Sequence, residues 1–374
     1  MLGRSIRRLF VGALLVGFVG GVLPSKTVRV ARAAPFVFAS LNDIYYQNFD
    51  TLDSASGGST DTNPWADDST LAGWYSTRIE YLANRGSNTE GALYSFGAGG
   101  GANRALGSVA TASTGTIHYG VALTNNTGQS IDYIAVSFYG EQWRNSGNTT
   151  QHRLDFSYQL GAPTIANVTA GSWTDVNALD FVGPIASAGS GNLDGDAPAN
   201  RVLLRVVFPL GSPLASGQQI MLRWSDADDT GNDHGLALDD LAVKLSLAPT
   251  AVTWAGSALA VNSTTATAGD TLIYRLTLSD PEGGAFTATD TFAPSVSIIS
   301  APGMNVDGQT VQASSTLAPN ERRVFTITVQ VAAGWTGELN NSATIAGAAG
   351  SRMLDAPTVM VAATSPIYLP LIQR

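Results

Sequence analysis

Short runs in which apolar and polar residues alternate constrain the fold of this chain more than any other feature. The runs 154–160, 220–224, 272–278 and 325–331 each place an apolar residue at every second position. Successive side chains of a strand point to opposite faces, so each run presents one apolar face to a core. No long segment has the 3.6-residue period of a helix. We therefore predict an all-β protein.

Turn-forming residues and a change in composition divide the chain. Glycine-rich clusters at 56–59 and 99–101 separate strand-like runs, and Ala248-Pro249-Thr250 precedes a stretch rich in Ala, Thr and Ser. We predict a large β-sandwich over residues 36–248 and a smaller immunoglobulin-like β-sandwich over residues 252–362. About 110 residues with about seven strands is typical of an immunoglobulin-like domain. A short tail, residues 363–374, closes the chain.

The N-terminal segment has the three parts of a secretory signal peptide. Basic residues come first (Arg4, Arg7 and Arg8), an apolar run covers residues 10–23, and Ala31-Arg32-Ala33 matches the cleavage rule. The run is shorter than the roughly 18–20 residues of a membrane span. We therefore predict that residues 1–34 are a signal peptide, with an uncleaved anchor as the alternative. No later segment is apolar enough to span a bilayer, so we expect a secreted or cell-surface protein.

Without residues 1–34 the chain is strongly acidic. That segment holds six of the 20 Lys and Arg residues and none of the 29 Asp and Glu residues, so the remainder has a net charge of 14 − 29 = −15. Nucleic acids are excluded as partners, because their binding requires basic charge, and anionic membranes are disfavoured. The chain also has no cysteine. An exported protein without disulfides depends on core packing or on metal ions.

Several motifs of the first predicted domain resemble those of one family. They are Ser87-Asn88-Thr89 with Leu93-Tyr94-Ser95-Phe96-Gly97, Arg104-Ala105-Leu106-Gly107-Ser108, Thr124-Asn125-Asn126-Thr127-Gly128, Gly140-Glu141-Gln142-Trp143-Arg144, and Gly231-Asn232-Asp233-His234-Gly235 running into Leu238-Asp239-Asp240-Leu241. Over most of residues 40–246 the chain resembles an uncharacterised bacterial exported jelly-roll domain. Such domains accompany extracellular enzymes and surface modules, and the resemblance implies a lectin-like or carbohydrate-binding-like sandwich.

The second predicted domain carries two further motifs, Ala268-Gly269-Asp270-Thr271-Leu272-Ile273-Tyr274 and Leu339-Asn340-Asn341-Ser342-Ala343. With them it resembles the immunoglobulin-like surface-repeat modules of bacterial envelope proteins, which usually act as spacers. The chain has Ser279-Asp280 where that family often has Asn. The ending Tyr368-Leu369-Pro370-Leu371 resembles a short ending on many exported bacterial proteins and lacks an LPxTG-type sortase motif.

An acidic run at residues 226–233 has the composition of a cation-binding loop. Asp226, Asp228, Thr230 and Gly231 match positions 1, 3, 5 and 6 of an EF-type loop, but position 12 is Ala237 rather than Glu. The run is therefore not an EF-hand. Asp226, Asp228 and Asp233 are candidate calcium ligands. The alternative is a solvated acidic hairpin between strands 219–224 and 236–245.

The pair Asp239-Asp240 carries a separate argument. Apolar positions are even before the pair and odd after it, as a β-bulge would make them, so at least one carboxylate points inward. A buried carboxylate requires a cation or hydrogen bonds. The pair resembles one in calcium-stabilised carbohydrate-binding jelly rolls, where it lies beside an N-terminal strand with an acidic end. The resemblance implies a structural calcium held by Asp50 and by Asp239 or Asp240. Backbone amides or an arginine are the alternative partners.

Aromatic residues offer a candidate sugar-binding platform. Aromatic faces stack on sugar rings while arginine binds hydroxyl groups, which makes Trp143, Arg144, Trp74 and Tyr75 candidate ligand-binding residues, together with Trp65. The alternative is that these side chains pack in the core. Trp224 alternates with Ile220 and Leu222, so we place it in the core.

No motif of an enzyme is present in the sequence: there is no Gly-x-Ser-x-Gly elbow and no His-Glu-x-x-His zinc motif. The leading hypothesis is an exported or cell-surface, non-enzymatic binding or adhesion protein for a glycan or another envelope component, with calcium as cofactor. The alternatives are a purely structural envelope or spacer protein and an extracellular glycoside hydrolase that uses paired carboxylates. Burial of Trp65, Trp74 and Trp143 would favour the structural alternative.

Overall fold

The described part of the chain is built almost entirely of strands. The computed structural model describes residues 35–54, 60–161, 165, 167–250, 253–280, 283–319, 321–347 and 350–363. These residues form 28 strands and one short 3₁₀ turn, so the all-β prediction is confirmed. Among them, no helix is long and apolar enough to span a membrane. The predicted signal peptide and residues 364–374 of the tail lie outside the described residues.

The first sandwich contains strands β1 to β16. Their bounds are β1 Val37–Phe38, β2 Tyr45–Gln47, β3 Asp61–Pro64, β4 Trp74–Ser76, β5 Glu80–Asn84, β6 Ala92–Phe96, β7 Ala105–Val109, β8 Ile117–Asn125, β9 Ile131–Ser146, β10 Arg153–Gly161, β11 Thr174–Asp175, β12 Phe181–Val182, β13 Ser190–Asn192, β14 Arg201–Leu214, β15 Gln219–Asp226 and β16 Gly235–Ser246. The 3₁₀ turn is Asn177–Leu179.

These strands form two sheets that enclose a common core. The first sheet has the order β1-β8-β15-β10-β11, with β4 and β12 added to β8 and β10. The second has the order β13-β9-β16-β7-β6-β5-β3, with β14 and β2 added to β9 and β16. Trp224 of the first sheet meets Phe138 of the second edge to face, with ring centroids 5.4 Å apart. Trp224 is fully buried, which confirms its predicted place in the core.

The second sandwich contains strands β17 to β28. Their bounds are β17 Ala258–Val261, β18 Thr265–Thr267, β19 Thr271–Ser279, β20 Gly284–Thr291, β21 Val296–Ser300, β22 Asn305–Asp307, β23 Thr310–Leu317, β24 Arg322–Val331, β25 Gly337–Leu339, β26 Ser342–Gly347, β27 Gly350–Asp355 and β28 Val359–Ala362.

The second sandwich has a core of its own. Its sheets have the orders β17-β19-β24-β21, β18-β28-β25 and β22-β23-β20-β26-β27. They enclose a cluster of buried apolar side chains that is separate from the core of the first sandwich. All four alternating runs of the sequence lie within strands, namely β10, β15, β19 and β24. The jelly-roll and immunoglobulin-like topologies and the predicted domain boundaries stay predictions.

The two sandwiches touch through a small polar and apolar contact. Asp280 of the second sandwich is fully buried, accepts a hydrogen bond from the Trp254 amide (2.7 Å) and lies 3.5 Å from Arg205 of the first sandwich. Next to it, Ala135 and Ala242 pack against Ala255. Because the Asp280 carboxylate contacts both the Trp254 amide and Arg205, it fixes the chain near Trp254, where it leaves the first sandwich.

A buried carboxylate in the second sandwich makes its stability depend on pH. Asp290 is fully buried, and burial raises its pKa to about 6, although a hydrogen bond from Asn341 (2.9 Å) opposes the shift. The folded state therefore holds this proton more tightly than the unfolded state. The stabilisation is complete below the unfolded pKa near 4 and is lost as the pH rises through about 6.

We predict that Asp290→Asn removes the loss of stability that the parent chain shows as the pH rises through about 6. A shift of roughly two pKa units corresponds to about 3 kcal/mol, so above pH 7 the variant should unfold at a higher temperature than the parent chain. Thermal melting between pH 4 and 8 measures this. Asp307→Asn, at an exposed carboxylate on β22, is the matched control. Identical pH profiles for Asp290→Asn and the parent chain would contradict the prediction.

Candidate metal sites of the first sandwich

The strand β16 changes register at the Asp239-Asp240 pair. The pairing of β16 with β9 shifts between Asp239 and Ala242, and Asp240 adopts a left-handed backbone with φ of 51°. Aspartate tolerates this conformation better than most residues. Asp239 is buried, with 3% of its surface exposed. The predicted bulge is confirmed. Asp239 is buried but does not point into the core between the sheets, because its neighbour Leu238 does so and successive side chains of a strand alternate.

Next to the bulge, three carboxylates from different parts of the chain converge. Oxygen atoms of Glu141 on β9, Asp196 in the loop before β14, and Asp239 on β16 all lie within 4.8 Å of one another. Glu141 and Asp239 are buried, whereas Asp196 is half-buried. Burial raises the pKa of both buried carboxyl groups, and repulsion from neighbouring carboxylates adds to it. We call Glu141, Asp196 and Asp239 the carboxylate cluster.

Positive charge compensates the cluster only in part, through the single arginine Arg201. Glu141 accepts a hydrogen bond from the Trp143 indole on Oε2 (2.9 Å), but its buried Oε1 has no hydrogen-bond partner among the described residues. Arg201 approaches that oxygen only to 3.9 Å. Asp239 accepts a hydrogen bond from the Asp240 amide (2.7 Å). Two buried carboxylates and a half-buried one beside a single arginine are costly, so the cluster is suited to a cation.

The structure places the predicted calcium ligands Asp50 and Asp240 beside this cluster. Asp50 is exposed and accepts hydrogen bonds from the Arg104 amide (3.1 Å) and the Asn48 side chain (2.6 Å). Asp240 accepts a hydrogen bond from the Tyr46 hydroxyl. Both carboxylates help to raise the pKa of Asp239. Of the three predicted residues, Asp239 alone belongs to the cluster; sequence reasoning missed Glu141 and Asp196.

The acidic loop after β15 is not a hairpin. Strand β15 pairs with β8 and β10 in the first sheet, whereas β16 pairs with β9 and β7 in the second. Residues 227–234 therefore cross from one sheet to the other, and the hairpin alternative is wrong. The alternative also expected solvated carboxylates, but only Asp228 of the three candidate ligands is exposed.

The buried aspartates of this loop have different partners. Asp226 accepts a hydrogen bond from the Ser108 hydroxyl (2.7 Å), and burial raises its pKa to about 8. Asp233 accepts one from the Asp229 amide (3.1 Å), and burial raises its pKa to about 7. Repulsion from the Asp233 carboxylate adds to the raised pKa of Asp226. Among the described residues, however, Asp226 does not belong to a group of converging metal-ligand atoms.

A histidine that sequence reasoning did not single out lies against this loop. Nδ1 of His152, just before β10, is 3.3 Å from Oδ1 of Asp233 and 3.6 Å from Oδ2 of Asp229. The ring of His152 packs on that of His234, with centroids 4.5 Å apart. His152, Asp233 and His234 are all buried. We call His152, Asp229 and Asp233 the histidine cluster.

The histidine cluster borders a polar cleft of about 700 Å³. Its walls include Thr89, Arg144, Ser190 and residues 228–233. Arg144 is half-buried and donates hydrogen bonds to the Gly86 carbonyl (2.9 Å) and the Ser146 hydroxyl (3.2 Å). Of the predicted ligand-binding residues, Arg144 is the one that reaches this cleft.

The predicted aromatic platform is wrong, because its side chains are buried. Trp65, Trp74, Tyr75 and Trp143 each expose 5% of their surface or less. Trp74 stacks on Trp224 in the core with centroids 5.9 Å apart. Trp143 packs on Phe96, and the loop at Gly195 covers it so closely that a Cβ there would lie 2.3 Å from the indole. No face of these rings is available to a sugar.

Comparison with known proteins gives weak structural likenesses. No family model and no curated protein matches the sequence. One similar solved structure is the N-terminal domain of a Streptococcus gordonii adhesin, with 12% identity, coverage of 70% of this chain and 68% of that chain, and a TM-score of 0.25.

Two further similar structures are C-terminal domains of antigen I/II proteins. That of Streptococcus agalactiae BspA has 10% identity, coverage of 66% of this chain and 92% of that chain, and a TM-score of 0.23. That of Streptococcus pyogenes AspA has 9% identity, the same coverage of 66% and 92%, and a TM-score of 0.24. The similar chains are thus domains of streptococcal surface proteins. TM-scores this low do not establish a common topology, and no function is transferred from them.

We predict that Trp74→Ala destabilises the first sandwich by about 3–5 kcal/mol, because it leaves a large cavity beside Trp224. Denaturant unfolding followed by tryptophan fluorescence measures this loss. Ile79→Ala, at an apolar side chain that is 84% exposed, is the control and should change stability by less than about 0.5 kcal/mol. Equal effects of the two substitutions would contradict the assignment of Trp74 to the core.

Proposed function

We propose that this chain is a non-enzymatic structural and adhesive protein of the bacterial cell surface whose first sandwich is stabilised by calcium. The observation that carries the proposal is the carboxylate cluster, in which the buried Oε1 of Glu141 has no hydrogen-bond partner among the described residues. Export follows from the predicted signal peptide. An exported sandwich without disulfides depends on core packing or on metal ions, and a bound ion would add to the stability that the core supplies.

The donor set of the cluster favours calcium over other ions. Its three residues offer only carboxylate oxygens, which are the ligands of a hard cation, and the neighbouring Asp240 adds another carboxylate. Extracellular modules bind calcium with dissociation constants of about 10⁻⁴–10⁻³ M, so a partly formed site is sufficient there. The net charge of −15 after residue 34 raises the local concentration of cations further.

Two observations support a structural rather than a hydrolytic role. A glycoside hydrolase requires two carboxylates about 5–10 Å apart that flank an accessible bond. Glu141 and Asp239 are both buried, so they do not flank an accessible bond. The buried tryptophans, Trp65, Trp74 and Trp143, also favour the structural hypothesis stated from the sequence.

Binding of a glycan or another polar envelope component is a second candidate function, and the polar cleft favours it. Arg144 and the hydroxyl groups of Thr89 and Ser190 line the cleft. A few placed polar groups in a concave site are typical of ligand pockets. A sugar bound there would be held by hydrogen bonds rather than by aromatic stacking.

We predict that calcium raises the melting temperature of the parent chain and that Glu141→Gln abolishes this response. At about 100 times the dissociation constant, calcium adds about 2.7 kcal/mol, or roughly 5–10 °C. In chelator at pH 8 the variant should be more stable than the parent chain. Glutamine can still accept the hydrogen bond from the Trp143 indole, but it does not bury a negative charge. Differential scanning calorimetry with calcium and with chelator measures both effects.

Asp132→Asn, at an exposed carboxylate on the same strand, is the matched control for charge. It should keep the full calcium response. A calcium response of equal size in Glu141→Gln would contradict the calcium site, and a parent chain that does not respond at all would contradict the proposal of calcium stabilisation.

We predict that a glycan array detects binding by the parent chain and that Arg144→Ala weakens it by at least about tenfold, as expected for a buried polar contact to the ligand. Arg153→Ala, at an arginine whose side chain is 61% exposed, is the control. Binding that is unchanged in Arg144→Ala would place the sugar outside the cleft. Absence of any bound sugar would leave the purely structural function as the better account.

A further inference from the structure

We propose that Lys244 and Arg352 form an anion-binding site between the two sandwiches, which takes a single oxyanionic group such as phosphate or sulfate. Lys244 lies on β16 of the first sandwich, and Arg352 lies on β27 of the second. Both side chains line the same small cavity. The site goes beyond the proposed function, because it shares no residue with the carboxylate cluster or with the polar cleft.

The fold directs the Lys244 side chain away from the core and toward the second sandwich. Val243 and Leu245 are fully buried in the core of the first sandwich, so Lys244 between them points to the other face of the sheet. Its partner on β9 is Ala135, which packs against Ala255 where the two sandwiches touch. Lys244 is therefore half-buried beside this contact.

Arg352 reaches the same place from the second sandwich. Its Nη1 donates hydrogen bonds to the carbonyl oxygens of Trp254 (2.5 Å) and Ala255 (2.9 Å), which hold the guanidinium beside the contact. Both hydrogen atoms of Nη1 are then used. The donors that are left are the one on Nε and the two on Nη2, which are neighbours in the guanidinium plane. Phosphate and carboxylate groups accept two parallel hydrogen bonds from such donors.

No acidic side chain neutralises these two charges. In the part of the chain that the structure describes, neither Lys244 nor Arg352 forms an ion pair, and the buried Nε of Arg352 has no hydrogen-bond partner. Acidic residues are nevertheless abundant, since the chain has 29 of them. Two neighbouring cations that lack a carboxylate partner in such a chain indicate a place for an anion from solution.

The two positive charges also destabilise each other. Burial lowers the pKa of Lys244, and repulsion from Arg352 lowers it further. Burial lowers the pKa of Arg352 as well, to about 10. Partly buried charges of like sign are costly unless a charge of opposite sign lies near them. An anion bound by both side chains removes this cost and links the first sandwich to the second.

The cavity limits the size of the ligand. Its volume of about 60 Å³ is several times the roughly 10–15 Å³ that one water molecule requires, so it admits a small ion. Asn42 and Ser351 add uncharged polar groups to its walls. A larger cleft of about 400 Å³ adjoins it and also contacts Arg352, but Asp43 and Asp355 line that cleft. Their negative charge repels a polyanion, so the site takes one oxyanionic group, either free or carried by a larger molecule.

The two carboxylates of the adjoining cleft are bound to other groups. Asp43 accepts hydrogen bonds from the backbone amides of Ala39 (2.7 Å) and Ser40 (2.9 Å). Asp355 accepts one from the Ser342 hydroxyl (2.6 Å). Neither carboxylate forms an ion pair with a described residue, so both leave the charge of Arg352 to an external anion.

The test is isothermal titration of the full chain, stripped of calcium beforehand, with sodium phosphate and in parallel with sodium sulfate. Sodium chloride at equal ionic strength is the blank. We expect one oxyanion per chain. Lys244→Gln should weaken its binding by at least about tenfold, because a hydrogen bond to a charged group is worth about a factor of ten in affinity or more. Lys244→Arg keeps the positive charge and should keep the binding.

Thermal melting separates an anion site from a purely structural role. Lys244 donates no hydrogen bond to a described residue, so Lys244→Gln removes only a repelling charge. Without the oxyanion this variant should melt no lower than the parent chain. With the oxyanion the parent chain should melt at a higher temperature, whereas the variant should not respond. Arg352→Gln should also bind at least about tenfold more weakly, although it loses the hydrogen bonds to Trp254 and Ala255 as well.

Two control variants keep the sites apart. Arg275→Gln changes an exposed arginine of the second sandwich and should bind the oxyanion as the parent chain does. Glu141→Gln should lose the calcium response and keep oxyanion binding, so failure of one site is distinguishable from failure of the other.

A phosphate monoester, glycerol 3-phosphate, distinguishes the two sources of the anionic group. Binding within about tenfold of inorganic phosphate assigns the site to a group carried by a larger molecule, and weaker binding assigns it to the free ion. The proposal is overturned if the parent chain binds neither phosphate nor sulfate beyond the chloride blank, or if Lys244→Gln binds them unchanged.

Discussion

The pairing of β9 with β16 at the centre of the second sheet is the interaction on which the first sandwich depends. One face of these strands carries core residues such as Phe138, which meets Trp224 of the opposite sheet. The bulge at Asp239-Asp240 keeps both Leu238 and Leu241 on the core side, while Asp239 lies on the other face with Glu141 and Asp196. The strand pairing therefore brings Glu141 and Asp239 close together, the loop before β14 covers them, and two buried carboxylates so close together create the need for a cation.

Much of the fold was predictable because it depends on local pattern. The period of two located β10, β15, β19 and β24, and the change of parity at Asp239-Asp240 located the bulge. Glu141 was missed because β9 is buried on both faces near it, which hides the alternation. Asp196 and His152 were missed because the fold brings them to their partners from distant loops. Trp143 was wrongly assigned to a ligand-binding surface, because a loop covers the outer face of the sheet at this residue. The alternation of residues along a strand does not show whether a loop covers one of its faces.

The carboxylate cluster and the polar cleft are built from different residues of the first sandwich. The cluster is buried and offers only oxygen, as a structural ion requires. The cleft is bordered by Arg144 and by the loop 228–233. Structural rigidity and ligand binding would then be assigned to different places, and the ligand-binding surface would be the loop 228–233 rather than an aromatic face.

The most direct test of the central claim is a crystal structure of the chain grown with calcium. The account predicts an ion bonded to oxygen atoms of Glu141, Asp196 and Asp239 at about 2.3–2.6 Å, the range for calcium ligands. Anomalous scattering would identify the ion. A structure in which these carboxylates hold no ion in saturating calcium, with Glu141 bound instead by Arg201 or by a shared proton, would contradict it.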